Sequence, residues 1–339
     1  MEMKYGFPLF SKDASIVSLG KNEKIIISDI WGFWSYVVKK ASSNARTEDF
    51  LSSLLEQAKH FYVTAESSPT KSQPLLYYYA FLNFSKILIN LVTPIGPGKI
   101  YHHGLSESHN HKFSASTVTK QQQKQNIVQV GHELVTMFEP NVPAGAVTYN
   151  VKELLNHCVG VHRAYSEIYH QSENFFRLDA LRLEKAGKKL EFSARIKCQD
   201  SCVQPLQARG YGIATDENGN HIYSCSIQQA AYGTTRLDYA NLSRKIRAEG
   251  IWYLISNAGY THYLSSSPHL RLSQESIIYL VMFYLGSITR YHPYMFDKIF
   301  SDKEQWLIAE FLATQPKQYL YLATARTLGQ SLLKAYSSF

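Results

Sequence analysis

Two stretches of the chain are apolar on every side, and the rest is organised around them. The first, PLLYYYAFLNFSKILINLV, opens at Pro74 in the place of a first-turn helix proline and runs to Val92. Asn83, Ser85, Lys86 and Asn90 are its only strongly polar interior positions, and Thr93-Pro94 with Pro97-Gly98 stops it. The second, SQESIIYLVMFYLGSITRYHPYMF, starts at a capping residue, Ser273, with Glu275 in the first turn. Residues 277–285 are all apolar, Gly286-Ser287 interrupts them, and Arg290-Tyr291-His292-Pro293 closes the run. Helices apolar all round must be covered all round, so both are expected at the centre of a helical body. The second is too short and punctuated to be expected as a membrane span, and no stretch of eighteen or more consecutive apolar residues suggests one.

Weaker patterns fill in the remainder. Thr47-Glu48-Asp49 starts a helix over Phe50–Tyr62, with Leu51, Leu54, Leu55 and Ala58 at helical spacing. Trp31, Phe33, Trp34 and Tyr36 form a cluster expected in or over the core. Asn126–Phe138 begins with strand-like alternation, and Asn150–Phe176 reads as one helix with a stripe from Leu154 to Tyr169. From Lys188 short alternating runs take over, separated by the turn sequences DENGN at 216–220 and SNAG at 256–259. Helix returns at about 273–290, 302–314 and 316–336. The expected fold is α+β and predominantly α-helical: an N-terminal helical part (1–187), an antiparallel β-rich insertion (188–268), and C-terminal helices (269–339) packing back on the first part.

Composition changes this picture in three ways. The 339 residues, 45% hydrophobic and 18% charged, suffice for real cores and exclude a disordered chain. The formal charge of +8 favours anionic partners, and the 24 tyrosines serve either base stacking or core packing with the hydroxyl at the rim. Four cysteines suit a reducing compartment, and MEMKYGFPLFSKD has no apolar signal region, so a cytoplasmic protein is expected.

The sequence contains no phosphate-binding glycine loop, nucleophile elbow or zincin motif, and nothing calls for a cofactor. His102, His103, His109 and His111 lie within ten residues, but no cysteine or carboxylate pattern completes a metal set, so no metal is expected. Cys198-x-x-x-Cys202 lacks a second pair. One helical pair suits RNA cleavage: Arg163 to hold a phosphate and His170 to move protons, roughly 10 Å apart along one helix face, with Glu167 between them as orienter. The alternative is a salt-bridged surface face, with Glu167 pairing Arg163. Arg290, His292, His103 and Lys86 make a second candidate set, for nucleic acid or another ligand, unless Arg290 and His292 only cap their helix.

The blocks Tyr78-Tyr79-x-x-Leu82-Asn83-x-x-Lys86, His103-Gly104-Leu105 and Arg290-Tyr291-x-Pro293 resemble the signature blocks of the YaaC-like bacterial protein family over about residues 30–300. That family supplies no firmly established biochemical function. A further resemblance is to HEPN-type helical ribonuclease domains, in which an arginine precedes a histidine by a few residues on a helix. Arg163 and His170 match at the longest spacing, with Ala164 where such enzymes usually carry a polar residue. This resemblance implies a dimer performing metal-independent RNA cleavage, often in toxin or anti-phage defence systems. The expectation is therefore a HEPN-like ribonuclease or nucleic-acid-binding effector with RNA as partner. The alternatives are a non-catalytic scaffold that dimerises or binds a partner protein of the same operon, and a small-molecule site between the two buried helices. No membrane partner is expected.

Overall fold

A computed structural model describes residues 24–334, apart from 111, 140, 199, 230–235, 257–258, 267–269, 271 and 329–330. Expectations for residues 1–23 and for His111 lie outside the described residues. The chain runs β1 (Lys24–Ile27), α1 (Ile30–Ala41), α2 (Ala45–Ser67), α3 (Gln73–Val92), β2 (Ile100–His102), β3 (Leu105–Ser108), β4 (Thr117–Lys120) and β5 (Ile127–Gln129). It continues with α4 (Val130–Phe138), β6 (Val147–Asn150), α5 (Val151–Asn156), α6 (His162–Tyr169), β7 (Phe175–Ala186), β8 (Lys189–Lys197), α7 (Val203–Ala208), β9 (Ile213–Thr215) and β10 (His221–Gln228). Last come α8 (Arg236–Ala248), β11 (Ile251–Ser256), β12 (Gly259–Ser265), α9 (Gln274–Tyr291), α10 (Pro293–Phe300), α11 (Glu304–Leu328) and β13 (Ser331–Lys334). The fold is α+β and predominantly helical. It divides into a helical unit, residues 29–172 with 272–324, and a sheet unit from the described parts of 1–28, 173–271 and 325–339.

In the helical unit α3 packs against both α2 and α9. By length and composition α3 qualifies as a membrane span, yet 67% of its most apolar window is buried inside the protein. Gly286 marks the contact between α3 and α9: a Cβ there would lie 2.8 Å from the Tyr78 Cβ and 3.1 Å from the Pro74 carbonyl oxygen. Gly286-Ser287 is thus a close approach of two helices, and α9 continues through it to Tyr291. Tyr284 and Tyr319 pack the core with their hydroxyls partnered, by Ser116 and Ser85 respectively. Tyr319 stacks on Phe81 at 4.1 Å between centroids, and its hydroxyl lies 2.7 Å from the Ser85 Oγ. Trp34 is fully buried and donates through Nε1 to the Thr324 hydroxyl at 2.8 Å, whereas Tyr36 is exposed.

Three local expectations change in this unit. Asn150–Phe176 is not one helix but α5, a short 3-10 turn at Val159–Val161, α6 and the start of β7. Gln274 captures the backbone at the break, accepting from Val159 N at 2.8 Å and donating to the His157 carbonyl at 2.9 Å. Such a side chain satisfies groups that a continuous helix would have bonded internally. Secondly, α11 runs unbroken through Pro316, because Phe311, Leu312, Tyr319 and Leu320 on either side are buried and hold it. Thirdly, α2 starts at Ala45, earlier than Phe50, capped by the Asn44 side chain accepting from Thr47 N at 2.9 Å.

Lys120 is fully buried on β4 and donates to the carbonyls of Pro143 (3.0 Å) and Gly145 (2.8 Å), pinning the loop before β6. Replacing it with methionine keeps the volume and orphans both carbonyls. Thermal denaturation should report a loss of about 2 kcal/mol for Lys120→Met, the penalty for buried acceptors without donors.

The sheet unit holds a six-stranded antiparallel sheet, ordered β11-β12-β7-β8-β10-β9. Its first strand begins at Phe175, before Lys188, and a bulge between Asp179 and Arg182, with Ala180 at φ 48°, interrupts its alternation. Both expected turns close hairpins. Asp216 Oδ1 accepts from Asn218 N and Asn220 N between β9 and β10, and Ser256 pairs with Gly259 across Asn257 and Ala258, which lie outside the described residues. Separately, β1 pairs in parallel with β13.

Candidate functional site

α3 is not apolar all round. Tyr79, Asn83, Lys86 and Asn90 stand four, three and four residues apart and so share one face, where they form a polar stripe. Asn83 accepts from Lys86 Nζ at 3.1 Å and donates to Gln57 Oε1 at 3.2 Å. Asn90 donates to the Tyr101 hydroxyl at 2.9 Å and accepts from Gly96 N at 3.0 Å. Lys86 Nζ lies 5.8 Å from the centre of the Tyr101 ring, and burial lowers its pKa. The stripe therefore presents one amine, held from below by an amide and flanked by a tyrosine.

The His103-Gly104-Leu105 loop reaches this face because its backbone is fixed at both ends. β2 pairs in parallel with β5, the His103 carbonyl accepts from Gly131 N at 2.8 Å, and the Gly104 carbonyl accepts from Gln121 N at 3.0 Å. Gly104 has φ +70°, and a Cβ there would sit 2.7 Å from the Gln129 carbonyl carbon. Only glycine fits. Gly104→Ala should cost roughly 2 kcal/mol through left-handed backbone and backbone contact combined, measured by chemical denaturation. It should also displace His103.

The His103 ring lies over Tyr78, with centroids 5.5 Å apart at 30°, and Nδ1 is 2.5 Å from the Tyr78 hydroxyl. Tyr78 is buried, and burial, followed by its tyrosine neighbours and Glu107, raises its pKa, so it remains a neutral phenol. The pKa of His103 is lowered, first by desolvation of the ring and then by the charges of Lys86, Arg290 and His102, against an opposing pull from Glu107. At neutral pH the imidazole is uncharged, although the residue is open to solvent.

The end of α9 supplies the third side. Arg290 donates through one guanidinium nitrogen to the Tyr79 hydroxyl, and its carbon lies 4.9 Å from the Tyr291 ring centre. Ser287 donates to Glu107 Oε1 at 2.6 Å, which ties β3 to the same helix. His292 ends the helix, its N–H reaching the Ile288 carbonyl at 2.9 Å while its ring stacks on His109 at 3.4 Å. On either side of it Tyr291 and Tyr294 are exposed, with Lys298 Nζ 4.7 Å from the Tyr294 ring centre.

Lys86, His103 and Arg290 thus come together from blocks far apart in the chain, while His292 meets His109. Sequence reasoning missed Tyr78 and Tyr79 as site partners, together with Glu107 and His109. The spacing of Tyr79, Asn83 and Lys86 was the available signal for Tyr79. Among the described residues no three His, Cys, Asp or Glu side chains are grouped to hold a metal ion.

Arg163, Glu167 and His170 lie elsewhere on the helical unit and are exposed. α6 is eight residues long and ends at Tyr169; His170 follows it with left-handed φ 51° and ψ 47°. The two side chains are therefore not carried on one continuous helical face. At that helix end Tyr169 donates to Glu304 at 3.0 Å, and Lys152 and Lys303 lie 4.1 and 4.9 Å from its ring centre.

No curated protein and no solved structure matches this chain, and the comparisons lend no support to the HEPN-type resemblance. The family model described as YaaC-like Protein matches residues 21–327, a span that includes the tyrosine stripe, the glycine loop and the arginine block of this cluster. The chain belongs to the YaaC-like protein family.

Proposed function

We propose that this protein binds nucleic acid, RNA in particular, and that Lys86 and Arg290 contact its phosphates while the surrounding tyrosines receive its bases. The observation that carries this reading is the convergence of Lys86, His103 and Arg290 from three separated blocks beside Tyr79, Tyr101 and Tyr291. Cations and aromatic faces interleaved on one surface suit a single strand, whose phosphates and unstacked bases are both available. Arg290 keeps donors beyond the one given to Tyr79, and Lys86 keeps protons beyond the one given to Asn83. The net charge of +8 adds long-range attraction of the same sign.

The test is fluorescence anisotropy with a labelled single-stranded RNA of mixed sequence. Binding that weakens steeply as salt rises supports the proposal; no binding at low salt refutes it. A competing placement puts the phosphate on Arg163 and proton transfer on His170, with Glu167 orienting them. There, His170→Ala should abolish cleavage with an unchanged melting temperature, and retained cleavage removes that placement.

In the non-catalytic scaffold reading Arg290 matters only for structure. Its exposure argues otherwise: Arg290→Ala should shift stability by no more than about 0.5 kcal/mol, as at ordinary surface positions, which a thermal melt resolves.

A further inference from the structure

We infer that His103 is a proton-transfer residue, and that this cluster cleaves the RNA it binds by attack of a ribose 2′-hydroxyl on the adjacent phosphate. The inference rests on the reading of the cluster as an RNA-binding site, and it places catalysis away from α6. Three features of the geometry point to it. First, Tyr78 holds His103 through Nδ1 alone, so Nε2 is the nitrogen left for a substrate. A base whose far nitrogen is fixed by a third group has the arrangement that general-base catalysis requires. Second, the ring is exposed while its Tyr78 partner is buried, so the orienting group is protected and the reacting atom is accessible. Third, desolvation of the ring, joined by the nearby charges of Lys86 and Arg290, disfavours the imidazolium and keeps the ring a free base at neutral pH. The same two cations would neutralise charge building on the non-bridging phosphate oxygens.

The step balances without an added reagent. With Nδ1–H donating to the Tyr78 oxygen, Nε2 takes the proton from the 2′-hydroxyl, and the 2′-oxygen forms a bond to phosphorus. The bond from phosphorus to the 5′-oxygen breaks, and that oxygen takes a proton from water. The products are a 2′,3′-cyclic phosphate and a 5′-hydroxyl end, and His103 returns its proton to solvent. In the other tautomer Tyr78 donates to Nδ1, and the outward N–H gives the phosphate a hydrogen bond without catalysis.

The experiment incubates the full chain with end-labelled single-stranded RNA in EDTA and resolves product ends, while anisotropy measures binding of the same oligonucleotide. The expected result is cleavage leaving cyclic-phosphate ends, lost on an all-2′-deoxy oligonucleotide. His103→Ala should lower kcat/KM by at least about 100-fold, within the range general-base catalysis supplies, and added imidazole should restore part of it. The groups facing His103 are Tyr78, Lys86, His102, Glu107 and Arg290. Because desolvation of the ring, and then the cations among these groups, outweigh Glu107, kcat/KM should rise and level off at a pH below that of an ordinary histidine. Tyr78→Phe should move that midpoint, which a purely structural tyrosine would not do. Binding without cleavage overturns this inference and leaves the binding proposal standing. Cleavage undiminished in His103→Ala also overturns it. Absence of both binding and cleavage removes both.

Discussion

Gly286→Leu should collapse the helical unit's stability by about 3 kcal/mol or more, at the upper end of the cost of overpacking. The position has no slack. Even a Cβ would stand 2.8 Å from the base of the Tyr78 side chain and 3.1 Å from a backbone oxygen of α3. Neither atom can swing aside as the tip of a long side chain would. A leucine has better helix propensity than glycine by about 0.8 kcal/mol, but that gain is smaller than the clash. Relief would have to come from moving α9 away from α3, which would also pull Arg290 from Tyr79 and Ser287 from Glu107. Denaturant titration should therefore show a lowered midpoint, and the variant that still folds should bind RNA more weakly. A wild-type midpoint would mean that the two helices do not meet as described.

The second large effect concerns charge. The Lys86→Ala/Arg290→Ala double variant should lose roughly 100-fold in RNA affinity, taking each charge-assisted contact as about 1.5 kcal/mol. It should also flatten the salt dependence. For a single strand the logarithmic slope falls by about 0.7 per phosphate contact removed, so about 1.4 for the pair. Both losses should be uniform across sequences, because phosphate contacts position a strand without reading it. Removal of two cations that are not part of the cluster, such as Lys39 and Lys40 on α1, is the control; an equal loss there would reduce the cluster to general electrostatics.

Much of the helical unit was legible because its centre is written in local pattern. The capped, all-apolar run of α9 and the first-turn proline and proline-glycine stop around α3 each specify an element without outside help. The break between α5 and α6 was not legible, since it depends on Gln274, a residue 115 positions away that captures the backbone there. Pro316 misled for the same reason: burial on both sides of α11 outweighs the local cost of a proline. β7 was hidden by its own bulge, which shifts the register between Asp179 and Arg182 and destroys the two-residue alternation.

The candidate cluster was half visible. Lys86, His103, Arg290 and His292 stand out as polar residues inside or just beyond apolar blocks, and the blocks resemble a family. Their partners could not be read, because Tyr78 meets His103 across 25 residues and Tyr79 meets Arg290 across 211. Tyrosines inside an apolar helix look alike until the packing separates those that fill the core, such as Tyr319, from those that line a site, such as Tyr79. The reverse held at α6. Arg163 and His170 looked paired by helical spacing, and the pairing ends where the helix does.

The central claim is the location of the RNA on this cluster, and photocrosslinking tests it most directly. The full chain would be irradiated with single-stranded RNA carrying 4-thiouridine, digested, and the linked peptides identified by mass spectrometry. The account predicts links in three segments: residues 77–86, 99–112 and 290–298. Links confined to residues 163–170, or spread evenly over the basic surface, would contradict it.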